Sequence, residues 1–173
     1  MPLRPLNLEN ARYLRAAEGW LELGDAVSAG DELEEITSDE QTHPAVLQVR
    51  YAIHAKRGQW DMATEVAEEL ATGLPDSAGS WINLAYATRR KTGGGIPEAK
   101  KILQAAEPLF PDEYLIPFNL ACYCSQLHEF DQAEQWLKKA AAIDEKKVRK
   151  MAADDSDLKP LWDNKGGTIW ERE

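Results

Sequence analysis

At 173 residues, 43% hydrophobic and 29% charged, the chain can bury one sizeable core or one continuous spine of stacked repeats, and its composition excludes a disordered polymer or a membrane protein. Its net charge of −10, with an isoelectric point near 4.8, excludes generic binding to nucleic acid or an anionic membrane, because phosphate repels an average surface of that sign. The surplus acid reads as solvated helix surface, and no apolar run approaches the roughly 18–20 residues that a spanning helix needs.

The first ten residues, Met1 to Asn10, have neither an apolar stretch behind a basic start nor a small-residue cleavage site, so they do not read as a secretory signal. From there helical periodicity runs along the chain without sustained two-residue alternation, and the expected class is all-α. The first helix is expected near residues 11–22 and its partner near 26–35, followed by a polar loop from Thr37 to His43. A second pair is expected near 45–57 and 60–72, broken by Gly58 and closed by Pro75. The third lies near 80–91 and 97–107, broken at Gly93-Gly94-Gly95 and closed by Pro111. The fourth lies near 114–127 and 130–143. A polar-faced helix at 145–153, with Leu158, Leu161 and Trp162, is expected to cover the open end of that last pair. This organisation reads as a single domain over 1–173, with pairs over about 11–143 and a cap and tail at 144–173.

The pairs are copies of one another. Gly58-Gln59-Trp60-Asp61-Met62-Ala63 returns as His128-Glu129-Phe130-Asp131-Gln132-Ala133, and Ala29, Ala63, Ala99 and Ala133 follow at intervals of 34, 36 and 34 residues. That is the period of a helix-turn-helix solenoid. A small residue at each of these positions lets the two helices of a pair cross closely, and Leu33, Leu103 and Leu137 one turn on fill the spine. Ala67 departs from this pattern, and Trp60 is expected to fill the missing volume. Trp20, Trp60, Trp81 and Trp136 are all read as core residues.

Within each copy the same residue types recur in order. The third has Trp81, Leu84-Ala85, Thr88, Ala99, Leu103 and Pro111, and the fourth has Pro117, Leu120-Ala121, Cys124, Ala133, Leu137 and Ala140. The second has Leu47, Arg50-Tyr51, His54, Ala63, Ala67, Leu70 and Pro75, and the first has Tyr13, Ala16-Ala17, Trp20, Ala29 and Leu33. This pattern resembles the tetratricopeptide repeat proteins, and the segment from Arg149 to Trp162 resembles the closing segment found after many bacterial arrays of that kind.

The resemblance implies a right-handed α-solenoid and a non-enzymatic scaffold for protein–protein interaction. It also implies a concave groove lined by the first helix of each pair. Helical spacing then projects Leu14, Arg15 and Glu18 into the groove from the first pair, and Gln48, Val49 and Lys56 from the second. The third pair offers Ile82, Asn83, Tyr86, Arg89 and Arg90, and the fourth offers Phe118, Asn119, Cys122 and Gln126. Asn83 and Asn119, 36 residues apart, are expected to stack and to hydrogen-bond an extended peptide. Tyr86 and Phe118 would supply apolar area, and Arg89 and Arg90 positive charge for an acidic segment. Family members that hold heat-shock chaperone tails use a clamp of two Lys, two Asn and one Arg. Here only Asn83 matches it, with Gln48, Ala52, Leu115 and Asn119 at the other positions, so that role is not expected.

No catalytic, metal or cofactor site is legible. His43, His54 and His128 fall in separate repeats, and the triple glycine has no following Lys-Ser or Lys-Thr. Asp154-Asp155 and Glu34-Glu35 read as helix-end or exposed charges. Cys122 and Cys124, two apart on one helix, point to different faces and cannot bridge. Free thiols fit a reducing, cytoplasmic compartment. The expected function is a cytoplasmic bacterial adaptor that binds a peptide or protein segment in its groove, with no nucleic-acid or membrane partner. Two alternatives stand beside it. One is a small acidic chaperone resembling those of bacterial secretion systems. The other is a homo-oligomeric module that docks through its ends or through the tail from Gly166 to Trp170.

Overall fold

Local residues set the starts of the first three helices in the computed structural model, which describes residues 4–170. The first three residues of the segment judged not to be a signal lie outside the described residues. The asparagine Asn7 caps α1 (Leu8–Leu23), its side chain accepting from the Asn10 N–H, and Gly24 ends that helix in the left-handed region at φ 93°. In the same way Asp25 caps α2 (Ala26–Glu34) by accepting from the N–H groups of Val27 and Ser28, and the Ser28 backbone bond in particular holds its carboxyl below the ordinary range. His43 Nδ1 accepts from the Ala45 N–H at the head of α3 (Pro44–Lys56), where Pro44 lacks a donor to lose.

The array continues with α4 (Trp60–Gly73), α5 (Ala78–Thr88), α6 (Ile96–Ala106), α7 (Leu115–Gln126), α8 (Phe130–Asp154) and α9 (Lys159–Lys165). No strand occurs among the described residues. The expected pairs are present within a few residues at each end. The polar-faced cap helix is also present, as the second half of α8: the backbone leaves helical geometry at Asp144, whose side chain then accepts from the Lys147 N–H at 3.1 Å and starts the next turns.

The glycine turn shows why the repeat length drifts. A Cβ on Gly94 would sit 2.0 Å from the Thr88 carbonyl oxygen, so the extra residues of the third repeat are accommodated only by glycine. At the corresponding turns of the second and fourth repeats, Gly58 and His128 are both left-handed, at φ 68° and 61°.

Consecutive helices pack on one another along the chain. The four repeat alanines, Ala29, Ala63, Ala99 and Ala133, are completely buried, as are Leu103 and Leu137. Ala67 is also fully buried, and Trp60 packs against its cluster. Trp81 and Trp136 pack half-buried on the core of the third repeat. The reading of Trp20 as core is corrected: it is 38% exposed, at the surface where α1 meets the charged side of α2. Its indole N–H reaches Glu32 at 3.4 Å instead.

Beyond α8, Leu158, Leu161 and Ile169 are buried in one cluster with Phe118, Cys122, Val148 and Ala152. The tail from Gly166 to Trp170 packs on this same cap, with the Trp170 ring 6.4 Å from that of Trp162 and 5.7 Å from the Arg149 guanidinium. No helix among the described residues is long and apolar enough to cross a membrane.

Candidate functional site

The stripe projected from α7 is occupied by the chain itself. Phe118 is 2% exposed and Cys122 3%, because the segment from Asp155 to Leu161 crosses that face of α7. Backbone and side-chain bonds hold it there. The Gln126 side-chain amide donates to the Asp157 carbonyl at 3.0 Å, the Leu161 N–H donates to Ser125 Oγ at 3.2 Å, and Cys122 Sγ donates to Asp155 Oδ2 at 3.5 Å. Desolvation, reinforced by the Asp155 carboxylate, pushes the Cys122 thiol well above its ordinary pKa.

Arg89, projected as a groove cation, is spent on the same segment. Its guanidinium grips Asp157 with two bonds, 2.5 and 3.2 Å long, and lies 5.6 Å from the Tyr123 ring centre. The hydrogen bonds to Asp157 raise its already high pKa. Asp155 is a helix-end charge, as expected: it is the C-cap residue of α8 and caps the short turn that follows. It is half-buried, accepts from the Asp157 N–H at 2.9 Å and faces Cys122.

Two further candidates have internal partners. Val49 is buried against the first pair, with Leu14, Ala29 and Leu33, since it falls on the side of α3 that faces α1 and α2. Asn119 donates its amide to the Leu115 carbonyl at 2.7 Å, one turn back on its own helix, which satisfies the group that was expected to meet a peptide. Val49, Phe118, Asn119 and Cys122 therefore serve packing and internal bonding in this structure.

What stays open lies on α1, α3 and α5. Arg15 and Gln48 are exposed, and Ile82 and Asn83 are half-buried. The Asn83 carbonyl accepts from the buried Tyr51 hydroxyl at 3.1 Å, a bond that ties α3 to α5. The Tyr51 phenol is itself pushed up to about 12, chiefly by burial.

Beside Asn83, Tyr86 is 42% exposed. Its ring meets Trp60 edge-on at 5.8 Å. The Arg90 guanidinium lies 3.5 Å above the Tyr86 ring centre and 5.3 Å from that of Trp60, and Nη1 donates to the Tyr86 carbonyl at 3.0 Å. This is a pre-stacked cation–aromatic cluster with an open edge. The repeat logic assigned Trp60 wholly to the core, and the signal that it also belongs here was its place at a helix start beside the next pair.

Comparison with known proteins locates this architecture. No protein-family model and no curated protein matches the sequence. Solved structures do. TTC0263, a thermophilic TPR protein in Thermus thermophilus, superposes with a TM-score of 0.66 at 20% identity, covering 89% of this chain and 87% of that one. A MamA RS-1 ArsTM double mutant gives 0.67 at 16% identity over 85% and 79% of the two chains. MamA AMB-1 gives 0.62 at 17% identity over 96% and 97%. At such identities the likeness is one of fold, and it extends over most of both chains. Together with the registered helix pairs, it identifies the chain as a helical solenoid of the tetratricopeptide repeat fold.

Proposed function

We propose that the chain is a non-enzymatic adaptor that holds a segment of a partner protein across the open part of its groove, on Arg15, Gln48, Asn83, Tyr86 and Arg90. The observation that carries this reading is the exposed Tyr86 ring stacked with Arg90 and Trp60, both half-buried, beside the half-buried Asn83. An exposed tyrosine ring held under a stacked arginine offers the residue types that dominate protein interfaces. Tyr86 and Trp60 would cover apolar side chains of the partner. Arg90, already ordered by stacking, would meet a carboxylate at low entropic cost. The grip of the adjacent Arg89 on Asp157 is an intramolecular example of that same pairing. Two free, buried cysteines suit work in a reducing compartment such as the cytoplasm.

The test is affinity capture from a native lysate with the wild-type chain beside the triple variant Asn83→Ala, Tyr86→Ala, Arg90→Ala, followed by measurement of the recovered partner's affinity. Loss of a central aromatic and its arginine is expected to weaken binding by at least about ten-fold. A partner bound equally by both proteins would move the working surface elsewhere.

A further inference from the structure

At the far end of α4 from Trp60, a cleft of about 670 Å³ opens between that helix and the start of α3. Pro44 and Leu74, both half-buried, give it an apolar floor over the buried Leu47 and Leu70, and Glu65, Glu68 and Glu69 stand exposed along its rim. It lies where α3 and α4 meet the loop that follows the short α2. That helix has 9 residues against 14 in α4, a shortfall of about 7 Å of helix. The loop over residues 35–43 replaces the missing turns, and its Thr42 forms one wall of the cleft.

The electrostatics are one-sided. No lysine or arginine lines the cleft, and none of the three glutamates is ion-paired among the described residues. The C-terminus of α4, at Gly73, adds the negative end of a helix dipole. A second copy of this chain, itself at −10, is a poor occupant of such a site.

We propose that this cleft is a docking site, separate from the groove, for a basic amphipathic helical segment of another protein. Apolar side chains on one face of that segment would cover Pro44 and Leu74, and flanking lysines or arginines would pair with Glu65, Glu68 and Glu69. Volume and lining match the general form of recognition clefts, an apolar bed with a few charged groups that set orientation.

Fluorescence anisotropy with a labelled helical peptide of leucine and lysine tests this directly, with a peptide of the same pattern in leucine and glutamate as the control. Only the lysine peptide is expected to bind, more weakly as salt rises. The charge reversals Glu65→Lys, Glu68→Lys and Glu69→Lys together should weaken it by about ten-fold or more. The same change in net charge placed on α1, at Glu9, Glu18 and Glu22, should leave it within about two-fold. Equal weakening by both triple variants would reduce the effect to general attraction by an acidic protein and overturn the proposal, as would no binding of the lysine peptide. Amide hydrogen exchange on the wild type provides a readout independent of the variants: protection by the peptide should fall on residues 44–47 and 65–74, and protection elsewhere refutes the site. Because Tyr86→Ala and Arg90→Ala should not affect this peptide, the cleft and the groove can fail independently.

Discussion

Replacing Leu158 and Leu161 by alanine should undock the cap while the four helix pairs stay folded, and the two cysteines can report it. Both leucines are completely buried against Phe118, Cys122, Val148 and Ala152. A buried Leu→Ala change costs about 2–5 kcal/mol, so the two together remove about 4–10 kcal/mol if they act independently. Contact between their sites makes the lower end the safer figure. The short Asp155–Leu161 segment keeps only a few polar bonds beyond those side chains, each contributing about 0.5–1.5 kcal/mol, so it should open as a sub-global unit.

Cys122 lies beneath that segment, whereas Cys124, two residues on and also buried, faces Lys100 and Glu129 across the third repeat. A thiol reagent at neutral pH should therefore leave both cysteines of the wild type unmodified on the mixing timescale and label one, Cys122, in the double variant. Mass spectrometry of the labelled peptides assigns the site, and helical circular dichroism should fall by little. Simultaneous labelling of both cysteines at the rate of global unfolding would refute the separateness of the cap.

Three other outcomes follow from particular groups. The substitution His128→Gly should raise stability by up to about 1 kcal/mol in urea denaturation, because a left-handed backbone at φ 61° penalises a Cβ, less the entropy that glycine adds to the unfolded chain; a loss of similar size would show that the edge-on contact with Phe130 outweighs the strain. Lys100, buried and held by Glu129, should tolerate Glu129→Gln poorly, at a cost of about 1–3 kcal/mol, with Lys100→Met restoring most of it in that background; additive losses would deny the coupling.

Stability should also be bounded on both sides in pH. Glu129 and Asp131, held low mainly by Lys100 and Lys165, have folded pKa values below their unfolded ones. Their contribution is present above the unfolded values and is lost as pH falls below about 4.5 and through the folded values. Cys124, pushed up to about 11 by burial, contributes fully below its ordinary value of 9.0 and loses that contribution as pH rises from there toward 11. Thermal melts flat through both windows would contradict these assignments.

The repeat alanines, the glycine turn and the cap helix were legible in the sequence because each is dictated by short-range geometry: a close crossing needs a small side chain, and a tight turn needs φ > 0. The groove was legible only in part. Helical spacing put Phe118, Asn119 and Cys122 on one face of α7, but spacing carries no information about what lies over a face, and the segment at Asp155 to Leu161 lies over Phe118 and Cys122. Nor does periodicity show that Arg89 and Arg90, neighbours in sequence, part ways. The first turns to Asp157, and the second stacks on Tyr86. The short α2 leaves its mark as a long polar loop, yet the cleft beside it depends on the packing of α3 and α4 and has no one-dimensional trace.

The central claim, that the open groove of the first three pairs is the working surface, is tested most directly by site-specific photo-crosslinking in the native cell. A photoreactive amino acid would be placed at Gln48 or Tyr86, and at exposed Leu109 or Lys138 as controls. One and the same partner is expected to crosslink from positions 48 and 86 and from neither 109 nor 138. A partner crosslinked from the controls and not from positions 48 and 86 would contradict the claim.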